Sequence, residues 1–180
     1  MLLLLYRRLR YGYAFRLIRM EQPRYAKVDP ADYERLRKYE WFTKKGKNSF
    51  YALRHTSGGK RQKEGVIYLH QEIIKVPKGM MVDHINHDGM DNRRSNIRAA
   101  TRAQNMRNRG KRSGSRSSKY KGVSWKKQTR KWQATITFER KRIYLGCYHS
   151  EIEAAKAYDR AAMKYHGEFA SLNFPESAGR

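Results

Sequence analysis

The feature that most limits the fold is a Gly/Ser/Arg stretch over residues 109–118 (RGKRSGSRSS), which contains no apolar side chain. Such a stretch is typical of a linker, so it predicts a boundary between two small modules. In a chain of 180 residues each module then has room for only a modest core. The predicted division is a basic arm at 1–23, an N-terminal module at 24–108, the linker, a C-terminal module at 119–175 and a tail at 176–180. The arm is either a short amphipathic segment or the product of a start assigned too far upstream.

The C-terminal module shows three strand-like runs followed by one helix. The runs cover residues 121–125, 131–138 and 141–148, and the second alternates between apolar and polar side chains. Ser150 and Glu153 predict a capping box at the start of the helix. Its predicted buried stripe consists of Ile152, Ala155, Tyr158, Ala162 and Tyr165. This order predicts a three-stranded antiparallel sheet with one helix packed on it.

The N-terminal module mixes short strands and short helices. Asp29 followed by Pro30 is typical of a helix start, with Asp29 as the N-cap. Short strands are predicted at 25–28, 41–42, 49–53 and 66–69, and a short helix at 70–75. The predicted fold class of the whole chain is therefore α+β.

The charge balance indicates the class of partner. The chain has 41 Lys and Arg against 16 Asp and Glu, and residues 92–138 hold fifteen basic side chains and no acidic one. A charge run this one-sided favours a polyanion, and nucleic acid above all. The apolar run Leu2–Leu5 is too short for a membrane span or a secretory signal. Because Cys147 is the sole cysteine, no disulfide framework and no zinc site built on cysteine pairs is expected.

The richest cluster of chemically active residues lies between Met81 and Asn108. Asp83 and His84 end a short apolar strand, a polar loop follows, and a return strand leads into a helix that carries Asn105. Phosphodiester hydrolysis needs a base for water and a cation for the developing charge. Histidine can be that base near neutral pH, and the oxygen ligands of Asp83 and Asn105 suit magnesium.

This stretch, VDHINHDGMDNRRSNIRAATRAQNMRN, resembles the HNH (ββα-metal) nucleases, in the branch of phage and intron homing endonucleases. The resemblance implies that Asp83 and Asn105 are metal ligands, that His84 is the general base and that Asn96 braces the hairpin and orients the catalytic site. It implies a divalent metal, with magnesium favoured and manganese as the alternative, and no structural zinc. His70 matches an upstream family position with a structural or phosphate-contacting role.

Two positions depart from the family pattern. The last motif residue is Asn105 where many members have His, and His87 stands where a small residue such as Gly is expected. His87 is interpreted as a loop residue, although its imidazole could compete with His84. Asp88 and Asp91 are interpreted as groups that cap turns. Phosphate contacts in this module are predicted for Arg93, Arg94, Arg98 and Arg102.

The C-terminal module resembles the Apetala-two/ERF-type DNA-binding domain, whose exposed sheet face enters the major groove. The landmarks are Tyr120–Val123, Lys131-Trp132, Tyr144-Leu-Gly146, the helix around residues 153–159 and Leu172–Pro175. The predicted DNA contacts are Lys121, Ser124, Lys126, Lys127, Arg130, Thr135, Thr137, Arg142 and Tyr144. Ser and Thr lack the guanidinium fork that reads guanine, so the base preference of the plant family is not expected here. Trp132 is interpreted as a core residue rather than a base-stacking one.

Together the patterns predict a ββα-metal HNH nuclease module linked to an Apetala-two/ERF-like sheet and helix. The leading hypothesis is a metal-dependent homing-type endonuclease that nicks double-stranded DNA, acting as a monomer, with a dimer on DNA as the route to a double-strand cut. The alternative is a non-catalytic DNA-binding regulator with a vestigial HNH hairpin, and a basic RNA-binding protein is a third hypothesis. The expected location is the cytoplasm of a bacterium or phage-infected cell, near the nucleoid, without secretion or membrane binding.

Overall fold

A computed structural model describes residues 1–56, 65–111 and 117–175 of the chain. The centre of the predicted linker, 112–116, and the predicted tail, 176–180, lie outside these residues. Within them the predicted α+β class is confirmed. The chain divides into two compact units, Met1–Thr101 and Arg102–Arg180.

The first unit is built from small antiparallel sheets and short helices. Its helices are α1 (Leu2–Tyr11), α2 (Pro30–Leu36) and α3 (Leu69–Ile73). Its strands are β1 (Arg16–Arg19), β2 (Tyr25–Val28), β3 (Phe42–Lys45), β4 (Phe50–Thr56), β5 (Gly65–Tyr68), β6 (Met81–His84) and β7 (Ile97–Ala100). The pairings are β1 with β2, β4 between β3 and β5, and β6 with β7.

One strand of this unit lies within the segment that the sequence assigned to the arm. Strand β1 pairs with β2 over four residues, and Ile18 and Met20 are buried in the main cluster of the unit. The same cluster holds Leu36 and Trp41, and the Trp41 indole N–H donates to the Leu36 carbonyl oxygen at 2.9 Å. Arg16–Met20 therefore contributes to the core of this unit.

Helix α2 begins where the sequence predicted, but its N-cap side chain has another partner. Asp29 is the N-cap residue, yet its carboxylate accepts no hydrogen bond from the helix. Instead it accepts the backbone N–H of Arg94 at 2.7 Å. The carboxylate thereby ties the start of α2 to the loop between β6 and β7.

The second unit contains the predicted three-stranded sheet and its helix. Its elements are α4 (Arg102–Asn108), β8 (Val123–Lys126), β9 (Lys131–Phe138), β10 (Lys141–Tyr148), α5 (Glu151–His166) and a 3₁₀ turn (Gly167–Phe169). Strand β9 lies between β8 and β10 in antiparallel register. The inward residues of the sheet, such as Val123 and Ala134, pack against alanines of α5, and Trp132 packs on this cluster as predicted.

Helix α5 agrees with its prediction at the N-cap and differs from it along the buried face. The Ser150 hydroxyl accepts the Ile152 N–H at 3.2 Å, so Ser150 is confirmed as the N-cap. Ile152, however, is 48% exposed, and the buried stripe includes Ala154, Ala157 and Ala161 instead. Small side chains on this face let the helix lie close to the sheet. Gly122 lies against the Tyr158 ring of α5, and any Cβ at this position would overlap that ring. Gly122 also has a φ of +76°, which favours glycine.

Candidate active site

The site residues of the first unit lie at the end of the β6–β7 hairpin. In this hairpin Asp83 is paired with Arg98 and His84 with Ile97. Asp83 is 4% exposed and His84 is 7% exposed, so both side chains are held inside the protein. Buried polar side chains cost free energy unless they are hydrogen-bonded, and each has such a partner.

The His84 ring contacts the Asn92 amide and two aromatic rings. Its Nε2 lies 3.2 Å from the Asn92 amide oxygen, and the ring meets those of His70 and Tyr51 edge-on, at centroid distances of 5.2 and 5.9 Å. Because an amide oxygen can only accept, this bond places the proton on Nε2 and makes Nδ1 the basic nitrogen. Such a ring is oriented to take a proton.

Burial also sets the charge state of this histidine. Burial lowers the pKa of His84 from its ordinary value, although the hydrogen bond to Asn92 and the nearby carboxylates of Asp83, Asp88 and Asp91 oppose that change. His84 is therefore neutral near pH 7, as a general base must be.

Asn96 organises the loop that follows β6. Its amide oxygen accepts the Asn86 backbone N–H at 3.0 Å, and its amide nitrogen donates to the Asn86 side-chain oxygen at 2.9 Å and to the Asp91 carbonyl oxygen at 2.7 Å. Asn96 is itself 5% exposed. These three bonds close the loop across the hairpin.

The loop carboxylates serve the loop itself. Asp91 is 1% exposed and receives two hydrogen bonds from Arg93, at 2.7 and 2.6 Å. Asp88 accepts the Met90 N–H at 3.0 Å, as a turn-capping group does. Both agree with their interpretation as turn residues. His87 lies in the same loop with a φ of +65°, a conformation that glycine adopts most easily, which explains why a small residue was expected there.

Asp83 is paired with a cation in this structure. The Arg98 guanidinium donates to one oxygen of Asp83 at 3.0 Å. A carboxylate oxygen is also the kind of ligand that a hard divalent cation takes. Among the described residues no group of three or more His, Cys, Asp or Glu side chains could hold a metal.

The remaining predicted contacts are placed as follows. Arg94 binds both oxygens of Asp32, at 2.8 and 2.9 Å, and Arg93 is bound to Asp91 as described. Arg102 and Asn105 lie on α4, in the second unit. The three predicted arginine contacts of the first unit, Arg93, Arg94 and Arg98, are thus each paired with a carboxylate.

In the second unit the outer face of the sheet lines a cleft of about 640 Å³. Ser124, Lys126, Thr135, Thr137 and Arg142 are among its lining residues, as is Lys121. Tyr144 is 60% exposed on β10, and Lys127 and Arg130 are exposed in the turn between β8 and β9. The predicted DNA contacts of this unit therefore share the outer side of the sheet and its turn.

Sequence reasoning missed two residues that hold His84. Asn92 lies in the polar loop after β6, and its amide oxygen binds the imidazole. Tyr51 lies on β4, and 33 positions separate it from His84 in the sequence. No pattern of neighbouring residues could therefore have predicted the contact. Gly89 lies against β4, where an added Cβ would overlap the Phe50 carbonyl oxygen and the Tyr51 ring.

Within the described residues no helix is both long and apolar enough to cross a membrane.

Comparison with known proteins supports both modules. The HNH endonuclease family matches residues 75–107, and the AP2 domain family matches residues 118–168. An HNH endonuclease of Acanthamoeba polyphaga mimivirus is 36% identical over 142 residues, which cover 76% of this chain and 67% of the viral protein.

The C-terminal region is also similar to plant proteins. APETALA2-like protein 2 of Oryza sativa subsp. indica is 46% identical, and the AP2-like ethylene-responsive transcription factor TOE2 of Arabidopsis thaliana is 44% identical, each over 60 residues. These alignments cover 33% of this chain but only 14% and 12% of the plant proteins. The match to the viral protein, by contrast, spans two thirds of its length, and the chain therefore belongs to the HNH endonuclease family and carries an AP2 domain in its C-terminal region.

Proposed function

We propose that this protein is a metal-dependent endonuclease that hydrolyses phosphodiester bonds in duplex DNA. The observation that carries the proposal is the setting of His84, which is buried, neutral and held by Asn92 at the end of a braced hairpin. A histidine held in this way is prepared to accept a proton from water.

The chain's own groups then have distinct roles. His84 removes the proton from the attacking water, and the hydroxide attacks the phosphorus atom while the leaving oxygen departs. Asn92 and Asn96 position His84 by holding the ring and the loop. Asp83 and Asn105 are the residues that would hold the cation, as the motif implies. When bound there, a divalent cation, magnesium in preference to manganese, would neutralise charge on the phosphate and the leaving oxygen.

The AP2 domain supplies affinity for the substrate. Its sheet face carries Lys126 and Arg142 beside small polar side chains, which suits close approach to duplex DNA. Holding the nuclease site near bound DNA raises its effective concentration at that DNA. With one HNH motif per chain, we propose a homing-type nickase of a phage or prophage element, monomeric in solution and active on intracellular DNA.

The test is a supercoiled-plasmid assay with magnesium or manganese and with EDTA as the metal-free control. The wild type is expected to produce open circles, and His84→Ala to lower the rate by about 100-fold or more. His87→Ala is the matched control, since it removes another imidazole of the same loop; it should cut at nearly the wild-type rate. A linear product would instead indicate paired subunits. Equal cutting by wild type and His84→Ala would refute the assigned base.

A second function is supported by one contact, the Arg98–Asp83 ion pair. An arginine can neutralise a buried carboxylate as part of a purely structural hairpin, which would suit a non-catalytic DNA-binding regulator. In that case wild type and His84→Ala would bind DNA equally and neither would cut, with either metal.

A further inference from the structure

The cleft over the AP2 sheet has a second wall that does not belong to the AP2 domain. One side is the outer face of the sheet, with Thr135, Thr137 and Arg142. The other side is the end of α4 and the residues after it, Met106 and 109–111. Residues 109–111 follow the HNH family match at 75–107 and precede the AP2 match at 118–168. This part of the predicted linker therefore has a defined place beside the sheet.

Lys121 holds this wall against the sheet. Its ammonium donates to the carbonyl oxygens of Arg107 at 2.7 Å and Arg109 at 2.6 Å. The carbonyls at the end of a helix have no partner within the helix, and a cation there is favourable. Arg107 adds a second attachment, since its guanidinium lies 5.2 Å from the centre of the Phe138 ring. Burial at this position lowers the pKa of Lys121 to about 8.

The lining of the cleft has one sign of charge. Arg109 and Lys111 lie on the second wall, and Lys126 and Arg142 lie on the sheet. Among the described residues that line the cleft, none is Asp or Glu. A cleft with cations on both walls concentrates positive potential, which suits a strand of linked phosphates.

We propose that this two-walled cleft binds the sugar-phosphate backbone of one DNA strand, with Arg109 as a phosphate contact and Lys121 as the residue that positions it. The segment after α4 is then part of the DNA-binding surface rather than a passive tether. The inference rests on the proposed function, because it assumes that the AP2 sheet meets duplex DNA.

The test measures binding of the full chain to a fluorescein-labelled duplex in EDTA, by anisotropy over a range of KCl concentrations. Loss of one phosphate contact is expected to lower the slope of log K against log salt by about 0.9. For Arg109→Gln this corresponds to about eightfold weaker binding at 0.1 M salt. Arg160→Gln is the matched control, because Arg160 is exposed on α5 and does not line the cleft. It should leave the slope unchanged.

A double-mutant cycle tests the role of Lys121. If Lys121 acts by placing Arg109, then Lys121→Met weakens binding, and adding Arg109→Gln weakens it little further. Additive losses would show that Lys121 contacts phosphate directly and would overturn its positioning role. Unchanged or tighter binding by Arg109→Gln would overturn the proposed cleft. If the wild type itself failed to bind duplex DNA, the proposed function would fall, and the inference with it.

Discussion

Removal of the Asn96 side chain should destabilise the β6–β7 hairpin, and the hydrogen bonds of Asn96 give the size of the effect. Asn96→Ala removes three hydrogen bonds, two to Asn86 and one to the Asp91 carbonyl oxygen. Asn86 is exposed, so water can replace its lost partners at small cost. Asp91 is buried, and its carbonyl group loses a partner that water cannot easily replace. The expected cost is about 2 kcal/mol.

Hydrogen–deuterium exchange measures this cost locally, which matters in a chain of two units. A loss of about 2 kcal/mol should speed exchange of hairpin peptides, over 81–100, by about 30-fold. Ser95→Ala is the matched control, since Ser95 is exposed in the same loop, and it should speed exchange by no more than about twofold. Peptides from β9 and β10 should exchange at the wild-type rate in both variants. An increase for Asn96→Ala no larger than that of Ser95→Ala would refute the bracing role.

Three further predictions concern single side chains. Arg93→Met should destabilise the same hairpin by about 3–5 kcal/mol, read by the same exchange experiment, because it leaves the buried Asp91 carboxylate without its cation. Gly122→Ala should destabilise the second unit, as measured by hydrogen–deuterium exchange of β8 and β9. Gly12→Ala at the end of α1 is the control and should cost about 1 kcal/mol, because both glycines have a φ of +76°. The loss for Gly122→Ala should be larger, because only Gly122 lies against a ring. Burial, followed by the nearby His84, lowers the pKa of His70 to about 3 against 6.5 when unfolded. The free energy of unfolding should therefore fall as the pH drops from 6.5 towards 3, by about 2 kcal/mol at pH 5, measured by urea unfolding followed by circular dichroism. His70→Gln should remove that part of the pH dependence. An unchanged pH profile in His70→Gln would contradict the assignment to His70.

The parts of the fold that could be predicted depend on neighbours in the sequence. The alternation along β9, the N-cap at Ser150 and the hairpin that presents Asp83 and His84 are all local patterns. They were predicted because period and capping act over a few residues. Strand β1 was missed because four residues in a basic arm carry too weak a pattern.

The contacts that complete the site could not be predicted, because they join distant parts of the chain. Tyr51 reaches His84 from β4, and the Ser49 hydroxyl accepts the Gly89 N–H at 2.8 Å across 40 positions. Asp32 binds Arg94 across 62 positions. Each residue alone looks like an ordinary strand, turn or helix residue. Only tertiary packing shows which polar groups meet.

These distant contacts also change the meaning of the basic run at 92–138. Read as a sequence, its fifteen cations are equivalent candidates for phosphate. Three arginines of this run lie in the first unit: Arg93, Arg94 and Arg98. In the structure each of them pairs with a carboxylate and so helps to build the hairpin and its loop. A cation paired in this way releases fewer counterions from DNA, so within this run the salt dependence of binding should come chiefly from the cations that lie in the second unit. The net charge of the chain indicates the class of partner. The pairing of individual charges indicates that these arginines of the first unit hold the hairpin together and that the cations of the run in the second unit are the candidates for phosphate.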